Sequence, residues 1–235
     1  MTAPAPGAYS GIENLEVMSE AENYNRFLLS LITARLRPGD RVLDFGAGAG
    51  TFALPLQQRQ IDIRCVEPDP TLGAVLERAG LRHCARLDDI ADGGIDLIYT
   101  FNVLEHIVDD RATVRLLARK LKPGGILLVY VPAFPLLFSA LDRKVGHVRR
   151  YRWRGLAALV EDAGLTLRAL RHVDSLGFAA ALLFRALGND SGEIDRTALR
   201  LYDRLVFPLS RALDRLLWRW LGKNLMAVAR RDAAD

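Results

Sequence analysis

Cysteine is almost missing: Cys65 and Cys84 are the only two in 235 residues. Both fall in predicted strands, so they read as small buried apolar residues in a reducing, cytoplasmic setting, not as a disulfide or a zinc site. Long apolar runs are missing too. The longest, residues 176–187, is interrupted by Arg185 and falls short of the ~18 residues a membrane span needs. Residues 1–7 are Pro/Ala-rich and uncharged, unlike a secretory leader. No RNA-recognition signature and no spaced cluster of metal ligands appears, so neither nucleic acid nor a metal is expected as a partner. There is no internal repeat.

What is present suits one α/β domain over residues 1–235, since half of the residues are hydrophobic. The charge is uneven. Residues 1–140 hold 14 Lys/Arg and 17 Asp/Glu, whereas residues 141–235 hold 18 and 11. The sequence pI of 9.3 therefore belongs to the C-terminal part, whose partner is expected to be anionic.

The chain is organised around residues 41–51, Arg-Val-Leu-Asp-Phe-Gly-Ala-Gly-Ala-Gly-Thr. Residues 42–45 form a short apolar run that reads as a buried strand, and a helical pattern opens after Thr51. Strand, glycine turn and helix begin a βαβ unit that binds a nucleotide-like cofactor. The spacing is G-x-G-x-G, not the dinucleotide G-x-G-x-x-G, and Asp44 precedes the first glycine. A carboxylate there repels a pyrophosphate and attracts a cation. S-adenosylmethionine (SAM) carries an ammonium and a sulfonium and no phosphate. A second strand, residues 61–66, ends in Glu67, an acid placed to accept both ribose hydroxyls.

With residues 42–51, Val66-Glu67-Pro68-Asp69, residues 96–106 ending Asn-Val-Leu-Glu-His, and Leu121-Lys-Pro-Gly-Gly125 in that order, the chain resembles the class I SAM-dependent methyltransferases. The resemblance implies a doubly wound, Rossmann-like, seven-stranded and mostly parallel sheet of order 3-2-1-4-5-7-6, with strand seven antiparallel. It implies SAM as cofactor, held by Asp44, Gly46, Ala47, Gly48, Gly50, Thr51, Glu67, Pro68, Asn102 and Val103. A leading segment often lies over the cofactor in this family, so Tyr24 and Asn25 are candidates for the methionine end. Asp88 or Asp89, after strand three, is a candidate for the adenine amino group. The alternatives are plain helix packing for Tyr24 and a turn aspartate for the other pair.

In an open α/β sheet the ligand lies where the winding reverses, here between strands one and four. His106, His147 and Glu105 are candidate bases. Residues 105–121 read as one helix, which puts His106 at a helix start, where the dipole disfavours imidazolium; the bland alternative is a capping or packing role. After strand four the chain has Asn-Val-Leu-Glu, not the Asp/Asn-Pro-Pro-Tyr of methyltransferases acting on adenine amino or glutamine amide groups. Residues 132–151 read as a long loop, and Gly-His-x-Arg-Arg-Tyr within it narrows the resemblance to quinone-type small-molecule enzymes. Arg149, Arg150 and Tyr151 then contact an anionic or phenolic substrate, against a solvated basic turn as the alternative.

Residues 1–11 look disordered and residues 12–37 read as a helical cap. Residues 174–222 read as a helical insertion with arginines at 196, 200, 204, 211, 215 and 219 and leucines on the other side. Such a segment can lie on an anionic membrane or close over the sheet as a lid, and the lid is the expectation. The function expected is methyl transfer from SAM to a small or lipid-like molecule at oxygen or carbon. A non-catalytic SAM-binding regulator and an NAD-type oxidoreductase are the alternatives.

Overall fold

The computed structural model describes residues 17–186 and 195–233, so the N-terminal stretch 1–11 lies outside the described residues. Seven strands form one sheet: β1 (Arg41–Phe45), β2 (Asp62–Val66), β3 (Arg82–Cys84), β4 (Ile95–Phe101), β5 (Leu121–Pro132), β6 (Thr166–Val173) and β7 (Asn224–Arg230). Their order is β3-β2-β1-β4-β5-β7-β6, and β7 runs antiparallel to both neighbours. The expected fold class and strand order are those observed.

The central strands are apolar on both faces, as strands covered by helices on both sides must be. Along β5, Leu127, Val129 and Val131 pack on one side and Leu128 and Tyr130 on the other. The first side is covered by α4 (Asp110–Lys120) and α6 (Trp153–Glu161), through Val114, Leu117, Leu156 and Val160. The second is covered by α1 (Glu22–Thr33), the short α2 (Ala53–Gln57) and α3 (Pro70–Arg78), through Leu28, Ile32, Leu56 and Leu76. Cys65 is buried in this layer, whereas Cys84 is only partly so, and both are free thiols.

Several expected elements are divided. The leading helix breaks at Glu20–Ala21, and α1 starts without a side-chain cap from its own sequence. Its cap comes from far along the chain: Asp203 accepts from the backbone N–H groups of Asn23 and Tyr24, both at 2.8 Å. A remote carboxylate thus satisfies amides that a helix start leaves open. The helix expected over 105–121 is a 3-10 turn, Leu104–His106, followed by α4, because Asp109 caps Ala112 and starts the helix afresh. The long loop expected over 132–151 contains a 3-10 turn, Pro135–Leu137, and α5 (Ala140–Lys144), opened by a capping box between Ser139 and Asp142.

The insertion comprises α7 (Ser175–Ala186), α8 (Arg196–Leu201), a π-helical turn (Tyr202–Val206) and α9 (Phe207–Leu217), with Pro208 in the first turn of α9. It does not close over the sheet by its leucines. Its buried side is polar: Asp203, Ser210 and Asp214 face inward with Phe207. Asp214 accepts from the N–H groups of Asp174 and Ser175 at 2.9 Å each, and Ser210 accepts from Leu176 N–H at 3.0 Å, so α9 caps the start of α7. Leu205, Leu209, Leu216 and Trp220 are left exposed. The inner side thus differs from the expected leucine face: Phe207 packs there on Tyr24 and Phe27 beside the residues that cap the helix starts.

Replacing Asp203 by Ala removes two charge-assisted caps from α1. We expect a loss of about 1–2 kcal/mol in stability, read as a lower midpoint in urea denaturation.

Candidate functional site

The winding reverses between β1 and β4, and the strand ends there carry the expected acids. Gly46, Gly48 and Gly50 all have positive φ, at 79°, 54° and 84°. Side-chain-bearing residues avoid that region, so the turn needs glycine. A Cβ on Gly46 would stand 2.3 Å from Val103, so the glycine loop and the segment after β4 touch with no room between them. Val66 O accepts from Gly46 N–H at 2.9 Å and Ala47 N–H at 3.2 Å, pinning the loop to β2.

Asp44 is buried and accepts from the Tyr99 hydroxyl at 2.7 Å; burial pushes its carboxyl up to about 7, against the pull of that bond. Glu67 accepts from Gly48 N–H at 2.8 Å through Oε2 and from Asp69 N–H at 3.0 Å through Oε1. Burial raises its pKa as well, with both amides opposing. Ala47 is buried, while Thr51 and Pro68 are exposed at the edge. Asp69, beside Pro68, caps α3 by accepting from Thr71 and Leu72 N–H.

On the opposite lip, Asn102 takes φ 54° directly after β4, a left-handed conformation Asn tolerates, and donates its N–H to Tyr130 O at 2.8 Å. Tyr24 packs edge-on against Tyr130 and Phe207, and burial pushes its phenol up to about 12. Asn25 instead donates to Met18 O and Ser19 O, away from this lip. Asp88 is exposed after β3 and paired with Arg86 at 3.0 Å, and Asp89 is also exposed.

A second cluster follows Val103. Glu105 is fully buried, and neither carboxylate oxygen has a hydrogen-bond partner among the described residues. Burial, with Asp142 nearby, pushes it up to about 8. His147 Nε2 stands 3.8 Å from Glu105 Oε1, and His147 Nδ1 is 2.6 Å from Asp142 Oδ1. The His106 ring lies edge-on to His147, centroids 4.7 Å apart. His106 is pushed down to about 4 by burial and then by His147, not by a helix start, since its turn is 3-10. Sequence spacing pointed to no metal cluster; among the described residues, donors of Glu105, His106 and His147 nonetheless lie within 4.8 Å of one another.

The expected substrate residues have other occupations. Arg150 grips Asp142 with two bonds of 2.9 Å. Although burial opposes it, hydrogen bonds from His147 and Arg150 hold the Asp142 carboxyl well below its usual range. Arg149 pairs with Asp110 at 2.8 Å and donates to Val108 O. Tyr151 is buried and donates to Leu104 O at 3.0 Å and Asp110 Oδ2 at 2.8 Å. Arg149 and Tyr151 brace the segment that carries Glu105 and His106, and Arg150 fixes Asp142, the partner of His147. Asp142 is the residue the sequence reading missed; Ser139-x-x-Asp142 was its only local signal.

The site defines a class: a doubly wound sheet with a glycine loop that has no room for side chains, and buried acids at the ends of β1 and β2. These residues fit SAM, whose cations suit Asp44 and whose ribose hydroxyls suit Glu67. Residues 19–170 match the methyltransferase domain family, so the chain belongs to the class I SAM-dependent methyltransferases, and SAM is the cofactor of that family. It is 32% identical over 116 residues to a ubiquinone biosynthesis O-methyltransferase of Xanthomonas oryzae pv. oryzae, covering 45% of this chain and 48% of that one. It is 31% identical over 157 residues to an uncharacterized methyltransferase of Mycobacterium sp., covering 61% and 62%. The chain thus spans about half the length of the first of these relatives. Among solved structures, the geranyl diphosphate C-methyltransferase of Streptomyces coelicolor A3(2) superposes with a TM-score of 0.63 over 88% of this chain and 76% of that one; at 16% identity this is a likeness of fold.

Two outcomes follow. Glu67→Ala weakens SAM binding by about 1.5–3 kcal/mol in calorimetry, the range for hydrogen bonds to a charged group; unchanged affinity would remove Glu67 from the cofactor site. Arg150→Ala leaves Asp142 buried without its counter-charge and lowers stability by about 3–5 kcal/mol in urea denaturation.

Proposed function

We propose that this chain transfers the methyl group of SAM to oxygen or carbon of a small molecule, docked against Glu105, His106 and His147. The observation that carries this reading is the contact between Val103 and Gly46. It sets the turn holding Glu105 and His106 directly beside the glycine loop, so acid, imidazoles and cofactor loop share one end of the sheet. The O-methyltransferase likeness supports oxygen as the acceptor in the matched part of the chain.

SAM supplies a methyl group on a sulfonium, already electrophilic, so alignment and proton removal are what the protein adds. His106, with its pKa pushed to about 4, is neutral near pH 7 and able to take a proton from a hydroxyl or enol. Asp142 accepts from His147 Nδ1–H and so turns Nε2 toward Glu105. Glu105, pushed to about 8, is mostly protonated at neutral pH and serves as a donor to the acceptor molecule. Arg149, Arg150 and Tyr151 act as braces for this cluster in our reading, and Asn102 and Tyr24 line the methionine end.

The test is product formation, followed by mass spectrometry over a panel of phenols and enols, with kcat/KM measured against pH. With neutral His106 as base, kcat/KM stays flat from about pH 7 down to about pH 5, because the acid limb lies near 4. Loss of kcat/KM as pH falls through about 8 would assign the base to Glu105 instead, whereas loss as pH rises through about 8 is expected of Glu105 as donor. SAM binding without product across the panel would favour the non-catalytic regulator.

A further inference from the structure

The insertion presents a face that nothing in the described chain covers. On α9 and the turns flanking it, Leu205, Leu209, Leu216 and Trp220 are 57%, 62%, 71% and 64% exposed. At 3.6 residues per turn they fall within about a quarter-turn to either side of one line, roughly opposite the inward-facing Ser210 and Asp214. Leu183 and Phe184 of α7 are exposed as well. A ridge of this kind is uncommon on a monomer facing only water.

The insertion's own outward charge is of one sign, although Glu20 of the leading segment pairs with Arg196 and Arg200. Between Arg196 and Lys223 the only acids are Asp203 and Asp214. Both are 5% exposed and consumed as caps for α1 and α7. Arg200, Arg204, Arg215 and Arg219 remain exposed. Arg204 and Arg215 make no ion pair among the described residues. The helix therefore shows the outside an apolar ridge bordered by guanidinium groups, with its own negative charge turned inward.

We propose that this face docks on an anionic lipid bilayer. The leucines and Trp220 enter the boundary between headgroups and acyl chains, and the arginines lie among the headgroups. The segment rests on the surface, since among the described residues no helix is long and apolar enough to cross a membrane. Charge complementarity selects the bilayer over a second copy of the chain. A symmetric pair through this face would bring the same arginine rows against each other. The inference stands independently of the acceptor molecule, because no residue of the ridge belongs to the cofactor or acid–imidazole clusters.

The test is flotation of the full chain with vesicles of phosphatidylcholine alone or mixed with phosphatidylglycerol, at low and high salt. We expect binding to the mixed vesicles only, at least tenfold weaker at high salt, with a blue shift of tryptophan fluorescence. L209E/L216E, whose exposed positions leave the fold and SAM affinity unchanged, loses that binding at least tenfold. Absence of binding by the wild type at low salt overturns the proposal, as does equal binding by L209E/L216E. Self-association that L209E/L216E abolishes, without vesicle binding, would assign the face to a second copy and overturn it as well.

Discussion

Helix starts and tight turns leave backbone N–H groups without partners, and in this protein carboxylates supply most of what they need. Asp69 caps α3, Asp109 caps α4, Asp203 caps α1 and Asp214 caps α7. Glu67 does the same for the glycine loop and for the residue after Pro68. These bonds decide the arrangement of the molecule. Two of them join segments about 180 residues apart and so fasten the insertion to the leading helix. Satisfying amides fixed the inner face of α9 as polar, and its leucines then had only the outside left.

The two site clusters share a principle. Each buries acids that water would otherwise stabilise, and their ionisation shifts accordingly. Asp44 is raised to about 7 and Glu105 to about 8, while Asp142, gripped by Arg150 and His147, is held low. Different surroundings thus push carboxyls of one type to opposite sides of their ordinary range. Burial also lowers His106, so acid and imidazole are both neutral near pH 7.

The bracing of that cluster explains the sequence pattern Gly-His-x-Arg-Arg-Tyr. Read alone, two arginines and a tyrosine in a long segment look like anion contacts. Folded, Arg150 and Tyr151 reach back to Asp142 and Asp110. Arg149 reaches Asp110 and Val108 O. The charges of Arg149 and Arg150 are paired with Asp110 and Asp142.

The resemblance to the class I SAM-dependent methyltransferases implied the strand order that the sheet has, whereas the sequence by itself determined the strands and the placement of the cofactor loop. Those rest on local signals: apolar runs of strand length, a glycine turn that only positive φ can make, and acids at strand tips. Asp44, Gly46 and Glu67 are legible for that reason, because each is read from its immediate neighbours, whereas Val103 comes only through the family resemblance. Only the tertiary structure decided the partners of side chains that bond across the chain. Asp203 to α1, Arg150 to Asp142, and the pairing of Glu105 with His147 depend on distances that no spacing reveals. Helical periodicity likewise showed that 196–221 has an apolar and a polar side, and said nothing of which side turns inward. That choice depended on amides at the starts of α1 and α7, which Asp203 and Asp214 can reach only once those helices stand beside the insertion.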